Sequence, residues 1–379
     1  MRTAYLDNSA TTPVCREAAE KVVEMMTIKY GNPSSLHTMG LESEKEISQA
    51  RNRIAAALSC QAEEITFTSG GTEANNLALL GAVQARRRMG NRIVVSAVEH
   101  DSVLAAAREA EKEGFELVLL PPEEDGVIPE HAIFEAVNHN TIFVSMQLVN
   151  NEVGAVQPVE TLSRAVKRAK APAFIHIDAV QAFGKREINP KKLGADLVTI
   201  SAHKIHGPKG VGALYHAKGI RLIPRAFGGE QEGKLRPGTE AAPLIAGFGA
   251  ALAVLPSWRQ AETQVRILRD TCVERIKKIP GIVFNSMPKA SPYILNFSAV
   301  GIRSETMLHY LASRGVYVSS GSACSKGKKS HVLTAMGLSA QRIDSALRIS
   351  FSHWNTEEDV CQLTQALEDG MKTLARTKE

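Results

Sequence analysis

The chain has 379 residues, 44% of them hydrophobic and 22% charged, with a formal net charge of +5. This is more chain than one simple core needs, and it suits two domains of ordinary globular composition. No run of about 18 apolar residues occurs, and the modest positive charge is scattered, so neither a membrane partner nor direct nucleic-acid binding is expected.

In chain order, Met1-Arg2-Thr3-Ala4-Tyr5-Leu6-Asp7 lacks the apolar core of a secretory signal, and a cytoplasmic location is the expectation. Residues 1–16 read as an extended segment with a polar turn at Asp7-Asn8-Ser9-Ala10-Thr11-Thr12-Pro13. Helical periodicity runs from Arg16 to about Ile28, is broken by Tyr30-Gly31-Asn32-Pro33, and resumes from Leu41 to Leu58. Strands and helices then alternate: strand 64–68, helix 73–88, strand 92–96, helix 103–113, strand 116–120, helix 129–137, strand 141–148, helix 159–170, and strands at 174, 197 and 211–215. That alternation predicts an α/β domain with a mostly parallel sheet. A single long helix is expected over about 241–271. Beyond it, strands at 282–284, 294–297, 316–319 and 348–351 read as a smaller α+β C-terminal domain. The expected division is an N-terminal segment, 1–16, lying near the small domain and the active site, a large domain, 17–256, and a small domain, 257–379.

Chemistry concentrates where strands end. Ser201-Ala202-His203-Lys204 follows the buried run Leu197–Ile200, so desolvation and flanking histidines are expected to lower the pKa of Lys204, as a Schiff-base lysine requires. Asp178 ends the strand Phe174–Asp178, where α/β sheets bind ligands. An Asp and a Lys on neighbouring strand ends suit pyridoxal 5'-phosphate, the carboxylate holding the ring nitrogen protonated and the lysine carrying the aldehyde. Asp178 is equally readable as a helix N-cap. Thr68-Ser69-Gly70-Gly71-Thr72-Glu73-Ala74-Asn75 joins strand to helix and offers free N–H groups to a phosphate, although it also reads as a capped turn. His100 follows the next strand and is placed to stack on a planar ring or to move protons. Asn150-Asn151-Glu152-Val153-Gly154 sits at another strand end, with amides able to reach a phenolic oxygen.

These motifs, with Leu6-Asp7-Asn8-Ser9-Ala10-Thr11-Thr12-Pro13, Gly31-Asn32-Pro33-Ser34-Ser35, Arg236-Pro237-Gly238-Thr239-Glu240 and Ser320-Gly321-Ser322-Ala323-Cys324, resemble the successive signatures of the cysteine desulfurases. These are pyridoxal-phosphate enzymes of the class V aminotransferase group, fold type I. The resemblance spans almost the whole chain. It implies that Lys204 carries the cofactor, Asp178 pairs with its ring nitrogen, Gln181 and Asn151 meet its phenolic oxygen, and His100 stacks on the ring. Gly71, Thr72, Ser201 and His203 would hold the phosphate, and Thr239 would reach the cofactor of a second subunit, making a homodimer. Arg348 matches the arginine that binds the carboxylate of L-cysteine, a role suited to its planar fork.

Cys324 distinguishes a desulfurase from an aminotransferase. The resemblance makes it the thiolate that takes sulfur from cysteine, leaving alanine, and passes it to an acceptor protein in iron–sulfur cluster assembly, tRNA thiolation or cofactor synthesis. Its loop is small, polar and basic, and three lysines favour the thiolate. Cys15, Cys60, Cys272 and Cys361 are expected to be buried, inert thiols. The five cysteines show no CxxC or Cys/His metal spacing, and no metal is expected. The loop after Cys324 is about two residues shorter than in housekeeping bacterial enzymes, Gly233-Lys234 replaces the usual Arg-Gly, and Ser352-His353 replaces a common Gly-Arg. These differences leave the acceptor open. A selenocysteine lyase, another class V aminotransferase, and an inactive sulfur-assembly scaffold are the alternatives. The scaffold reading predicts loss of Lys204, Asp178 or Cys324, and all three are present.

Overall fold

The computed structural model describes residues 2–320 and 329–375. Its strands are β1 (Ala4–Tyr5), β2 (Ile65–Thr68), β3 (Arg92–Ser96), β4 (Glu116–Leu120), β5 (Thr141–Gln147), β6 (Phe174–Asp178), β7 (Leu197–Ser201), β8 (Gly212–His216), β9 (Ile282–Phe284), β10 (Ile294–Ala299), β11 (Val316–Tyr317), β12 (Ser319–Ser320) and β13 (Ala346–Ser350). Its helices are α1 (Arg16–Thr27), α2 (Thr38–Leu58), α3 (Gly71–Arg86), α4 (Asp101–Lys112), α5 (Glu130–Ala136), α6 (Glu160–Ala169), α7 (Pro190–Leu193), α8 (Ala242–Val254), α9 (Trp258–Ile276), α10 (Ser304–Ser313), α11 (His331–Ala335), α12 (Ala340–Asp344) and α13 (Glu357–Thr373).

Seven strands form one sheet in the order β2-β8-β7-β6-β5-β3-β4. All its pairings are parallel except those of β8, which runs antiparallel to both β2 and β7. The central strands are short apolar runs because helices cover both faces. Every residue of β5 is buried, including Ile142, Phe143, Val144 and Met146. Each such side chain contributes about 1.5–3 kcal/mol relative to exposure. The helices are amphipathic to match, α4 burying Val103, Leu104, Ala106, Ala107 and Ala110.

The four-stranded sheet, β12-β13-β10-β9, is antiparallel throughout. Two expectations need correction here. The single helix over 241–271 is two helices, α8 and α9, meeting at 75° across Leu255-Pro256-Ser257. Proline lacks the N–H that would continue α8 and clashes with the preceding turn. The strand expected over 316–319 is split, with β12 in the four-stranded sheet and β11 paired parallel with β1.

That last pairing carries the N-terminal segment from one sheet to the other. Beyond β1, Asn8 Nδ2 donates to Ser350 O at 2.8 Å and Ser9 N to Ser350 Oγ at 2.8 Å. Four residues later Thr12 N donates to His203 O at 2.9 Å, and Cys15 N donates to His206 O at 2.9 Å. Among the described residues no single helix is long and apolar enough to cross a membrane.

Candidate active site

The carboxyl ends of β3, β5, β6 and β7 open onto a cavity of about 370 Å³. Gly71, Thr72, His100, Asn151, Asp178, Gln181, Ser201, His203, Lys204 and Arg348 all line it, so the fold gathers ten of the twelve expected site residues. Thr239 is exposed and does not line it. Cys324 lies outside the described residues.

Lys204 closes a short 3-10 turn, Ala202–Lys204, immediately after β7. Its Nζ donates to Ala10 O at 2.8 Å and also to Ser9 O. The expectation that the flanking histidines act on Lys204 as charged neighbours needs correcting. Burial, reinforced by Lys204, lowers the His203 pKa to about 3, and burial lowers that of His206 to about 4. Both rings are therefore neutral near pH 7. His203 Nδ1 lies 3.2 Å from Thr11 Oγ1, and the His206 ring packs on Trp354 with centroids 3.8 Å apart.

Asp178 performs two tasks. Oδ1 accepts from Val180 N at 2.9 Å, an Asx turn that starts no helix. Oδ2 accepts from Asn75 Nδ2 at 2.8 Å. Asn75 Nδ2 also donates to Ser102 Oγ at 2.9 Å, and Ser102 Oγ lies 2.8 Å from His100 Nδ1. A buried chain of polar groups thus links Asp178 to His100. His100 caps α4, its Nδ1 accepting from Ser102 N at 3.2 Å, so the proton is assigned to Nε2. Burial lowers the His100 pKa.

The start of α3 lines the cavity with Gly71 and Thr72. Gly70, its N-cap, has φ +150°, a region costly for other residues. A Cβ on Gly212 of β8 would lie 2.8 Å from Gly70 Cα, so this close approach requires glycine at 212. The first turn presents Gly71 and Thr72 to the cavity beside Ser201.

Arg348 enters from β13 on the opposite side, 5% exposed. Nη2 pairs with Asp7 Oδ1 at 2.9 Å and Nη1 donates to Asn151 O at 3.0 Å. Its Nε is buried and has no hydrogen-bond partner among the described residues.

Pyridoxal phosphate fits this donor set. Ser201 Oγ, Asn75 Oδ1 and Gln181 Oε1 are buried without hydrogen-bond partners among the described residues, and all three residues line the cavity. Buried polar groups are ordinarily satisfied, so these are places for a polar ligand. A lysine, a carboxylate and a helix N-terminus surround them.

Sequence reasoning missed Asn75, Ser102 and Glu152 as members of the site, and Glu99 as a buried carboxyl beside it. Asn75 was legible in principle, since it lies one helical turn beyond Gly71. Glu99 is fully buried, and Gln147 N donates to its Oε1 at 2.6 Å. Burial and then Asp178 push its carboxyl well above the usual range. The expectation for the other cysteines holds for two of four. Cys15 and Cys272 are buried, and burial pushes the Cys272 thiol up to about 12. Cys60 is half-buried, with its thiol likewise raised to about 12. Cys361 is exposed on α13, beside Arg275 Nη1 at 2.6 Å, and corrects the expectation of burial.

The aminotransferase class-V family model matches residues 4–363. The chain is 38% identical to the cysteine desulfurase IscS of Methanosarcina thermophila over 377 residues, covering 98% of this chain and 93% of that protein. It is also 38% identical to the cysteine desulfurase IscS of Dictyoglomus turgidum, covering 100% and 98%. Among solved structures, a NifS-like protein superposes with a TM-score of 0.93 at 34% identity, covering 98% of this chain and 100% of that one.

Proposed function

Because the chain belongs to the class-V aminotransferases and, within them, to the cysteine desulfurases, whose members depend on pyridoxal phosphate, we propose that it takes sulfur from L-cysteine as a Cys324 persulfide and releases L-alanine. The observation that carries this reading is one cavity holding Lys204, Asp178, His100 and Arg348.

In this reading Lys204 carries the cofactor's aldehyde, and Asp178, oriented by Asn75, faces the ring nitrogen. Gly71, Thr72, Ser201 and His203 hold the phosphate, Gln181 and Asn151 the phenolic oxygen, and His100 lies against the ring. Bound there, the cofactor supplies an electron sink for charge developing at the substrate's Cα. Arg348 fixes the substrate carboxylate through a charge-assisted contact. Freed Lys204 takes the Cα proton and returns one. The Cys324 thiolate attacks the substrate sulfur: an S–S bond forms, the Cβ–S bond breaks, and its electron pair stays on carbon. Protonation of that carbon completes alanine. Neutral His100 is suited to handling a proton, because burial disfavours its charged form.

The enzyme is read as a cytoplasmic homodimer, with Thr239 completing the partner's phosphate site. Exposed apolar side chains at Val23, Met26, Ile28, Tyr30, Leu36 and Phe227 support a second copy. A sulfur-acceptor protein then takes the persulfide sulfur.

Cys324→Ser tests the reading, since steps before C–S cleavage do not need the thiolate. The variant should still change its visible spectrum on adding cysteine, yet form no alanine. Alanine at the wild-type rate would overturn the assignment.

A further inference from the structure

The loop after β5 does more than offer amides to the cavity. Glu152 is 5% exposed and lines the cavity together with Ser330, His331 and Arg348. Ser330 Oγ donates to Glu152 Oε2 at 2.5 Å. The same hydroxyl accepts from Leu333 N at 3.0 Å, so Ser330 is the N-cap of α11. Thr334 Oγ1 closes back on Ser330 O at 2.7 Å. The first turn of α11 therefore rests on a carboxylate contributed by another part of the chain.

The backbone that carries this carboxylate is held at both N and O. Glu152 N donates to Asn150 Oδ1 at 2.9 Å, and Glu152 O accepts from Asn296 Nδ2 at 3.2 Å, tying the loop to β10. Next to it, Asn151 O holds Arg348 Nη1. Two consecutive residues thus touch the proposed substrate-binding arginine and the start of α11. A buried carboxylate is a costly anchor unless its charge or its two oxygens are used, and burial raises the Glu152 pKa here. A purely structural peg needs only an amide.

We propose that Glu152 is a positioning residue for the sulfur-transfer step: through Ser330 it fixes the chain where it returns from the segment bearing Cys324, in register with Arg348. The proposal rests on the reading of Cys324 as sulfur acceptor. Glu152 touches neither the reacting sulfur nor Lys204 in this role. Its loss acts on persulfide formation and spares the events that precede it.

The test uses full-length, cofactor-loaded enzyme with Glu152→Ala, Glu152→Gln, Ser330→Ala and the Glu152→Ala/Ser330→Ala double variant. Two rates are followed in a single turnover: the cysteine-induced spectral change and the appearance of alanine with persulfide. Glu152→Ala should slow the second by about 10-fold, the scale of one lost hydrogen bond, and leave the first within about 2-fold. Glu152→Gln should recover part of the loss, because its amide oxygen still accepts from Ser330. The double variant should be no slower than the slower single variant, the non-additivity expected of one shared contact. Equal slowing of both rates, an unchanged persulfide rate, or additive losses would overturn the inference. Should wild-type enzyme form no persulfide on Cys324, the underlying reading fails instead.

Discussion

One wall of the cavity takes Asn75, His100, Asp178, Ser201 and Lys204 from successive strand ends and helix starts of the seven-stranded sheet. The facing wall takes Arg348 from β13, Ser330 from the cap of α11 and Glu152 from the loop after β5, and Asp7 from the N-terminal segment braces Arg348 from behind. The residues of the first wall sit at or just beyond the carboxyl ends of strands or at the helix starts that follow them, the edge where α/β sheets bind ligands whatever the chemistry. The second wall depends on contacts such as Asp7–Arg348, which are 341 positions apart in the chain. In the proposed reading, the cofactor's contacts come mainly from strand ends of one sheet, and the hold on Arg348 comes from long-range closure.

The largest effect should come from the first wall. If Lys204 is both the covalent anchor and the proton carrier, as proposed, Lys204→Ala should lower alanine formation by at least about 10²–10⁴-fold. Borohydride reduction of the wild-type enzyme should fix the cofactor to the Lys204 peptide and to no other lysine.

The second wall should respond differently. Arg348→Ala loses a charge-assisted contact worth about 1.5–3 kcal/mol, so KM for cysteine should rise about 10- to 100-fold while the bound cofactor's spectrum is unchanged. Lysine should restore only part of this, because it cannot reproduce the planar fork held by Asp7 and Asn151. Normal cysteine kinetics in Arg348→Ala would break the contrast between the walls.

Asn75→Ala should sit below both. It removes one hydrogen bond to Asp178 and the link to Ser102, so cofactor retention should weaken by about 10-fold, read by equilibrium dialysis. An unaffected KM for cysteine would sharpen the division of labour between the walls.

A different test, independent of the cofactor and substrate, is the effect of pH on stability. His176, His203 and His206 have folded pKa values lowered to about 4, 3 and 4, with burial the largest cause in each. The unfolded chain therefore binds more protons between about pH 6.5 and 4, and stability rises with pH across that window. The contribution of these neutral rings is complete above about pH 6.5 and is lost as pH falls toward about 4. Tm should decline steadily over that range. A flat Tm profile would show that these rings do not stay neutral in the fold.

The same contrast explains what could be read in advance. Alternating apolar runs and glycine-marked turns announced the parallel sheet, and Asp178 and Lys204 followed from their strand ends. Arg348 was recognisable only by resemblance, because nothing in its local sequence reveals that Asp7 and Asn151 clamp it. Asn75 and Glu152 escaped notice although both lay inside motifs, since buried polar side chains declare themselves only through partners distant in sequence. Pro256 is a helix breaker legible in the sequence, and it separates α8 from α9. The division of 316–320 between two sheets was not legible, because it depends on β1 arriving from the far end of the chain.

The central claim is that sulfur leaves cysteine by bonding to Cys324, and its location after one turnover tests this most directly. Enzyme given one equivalent of cysteine, alkylated at once and digested without reductant, should carry a single additional sulfur on the Cys324 peptide, with alanine formed in equal amount. Persulfide found instead on Cys15, Cys60, Cys272 or exposed Cys361, or alanine formed with no protein-bound sulfur, would contradict it.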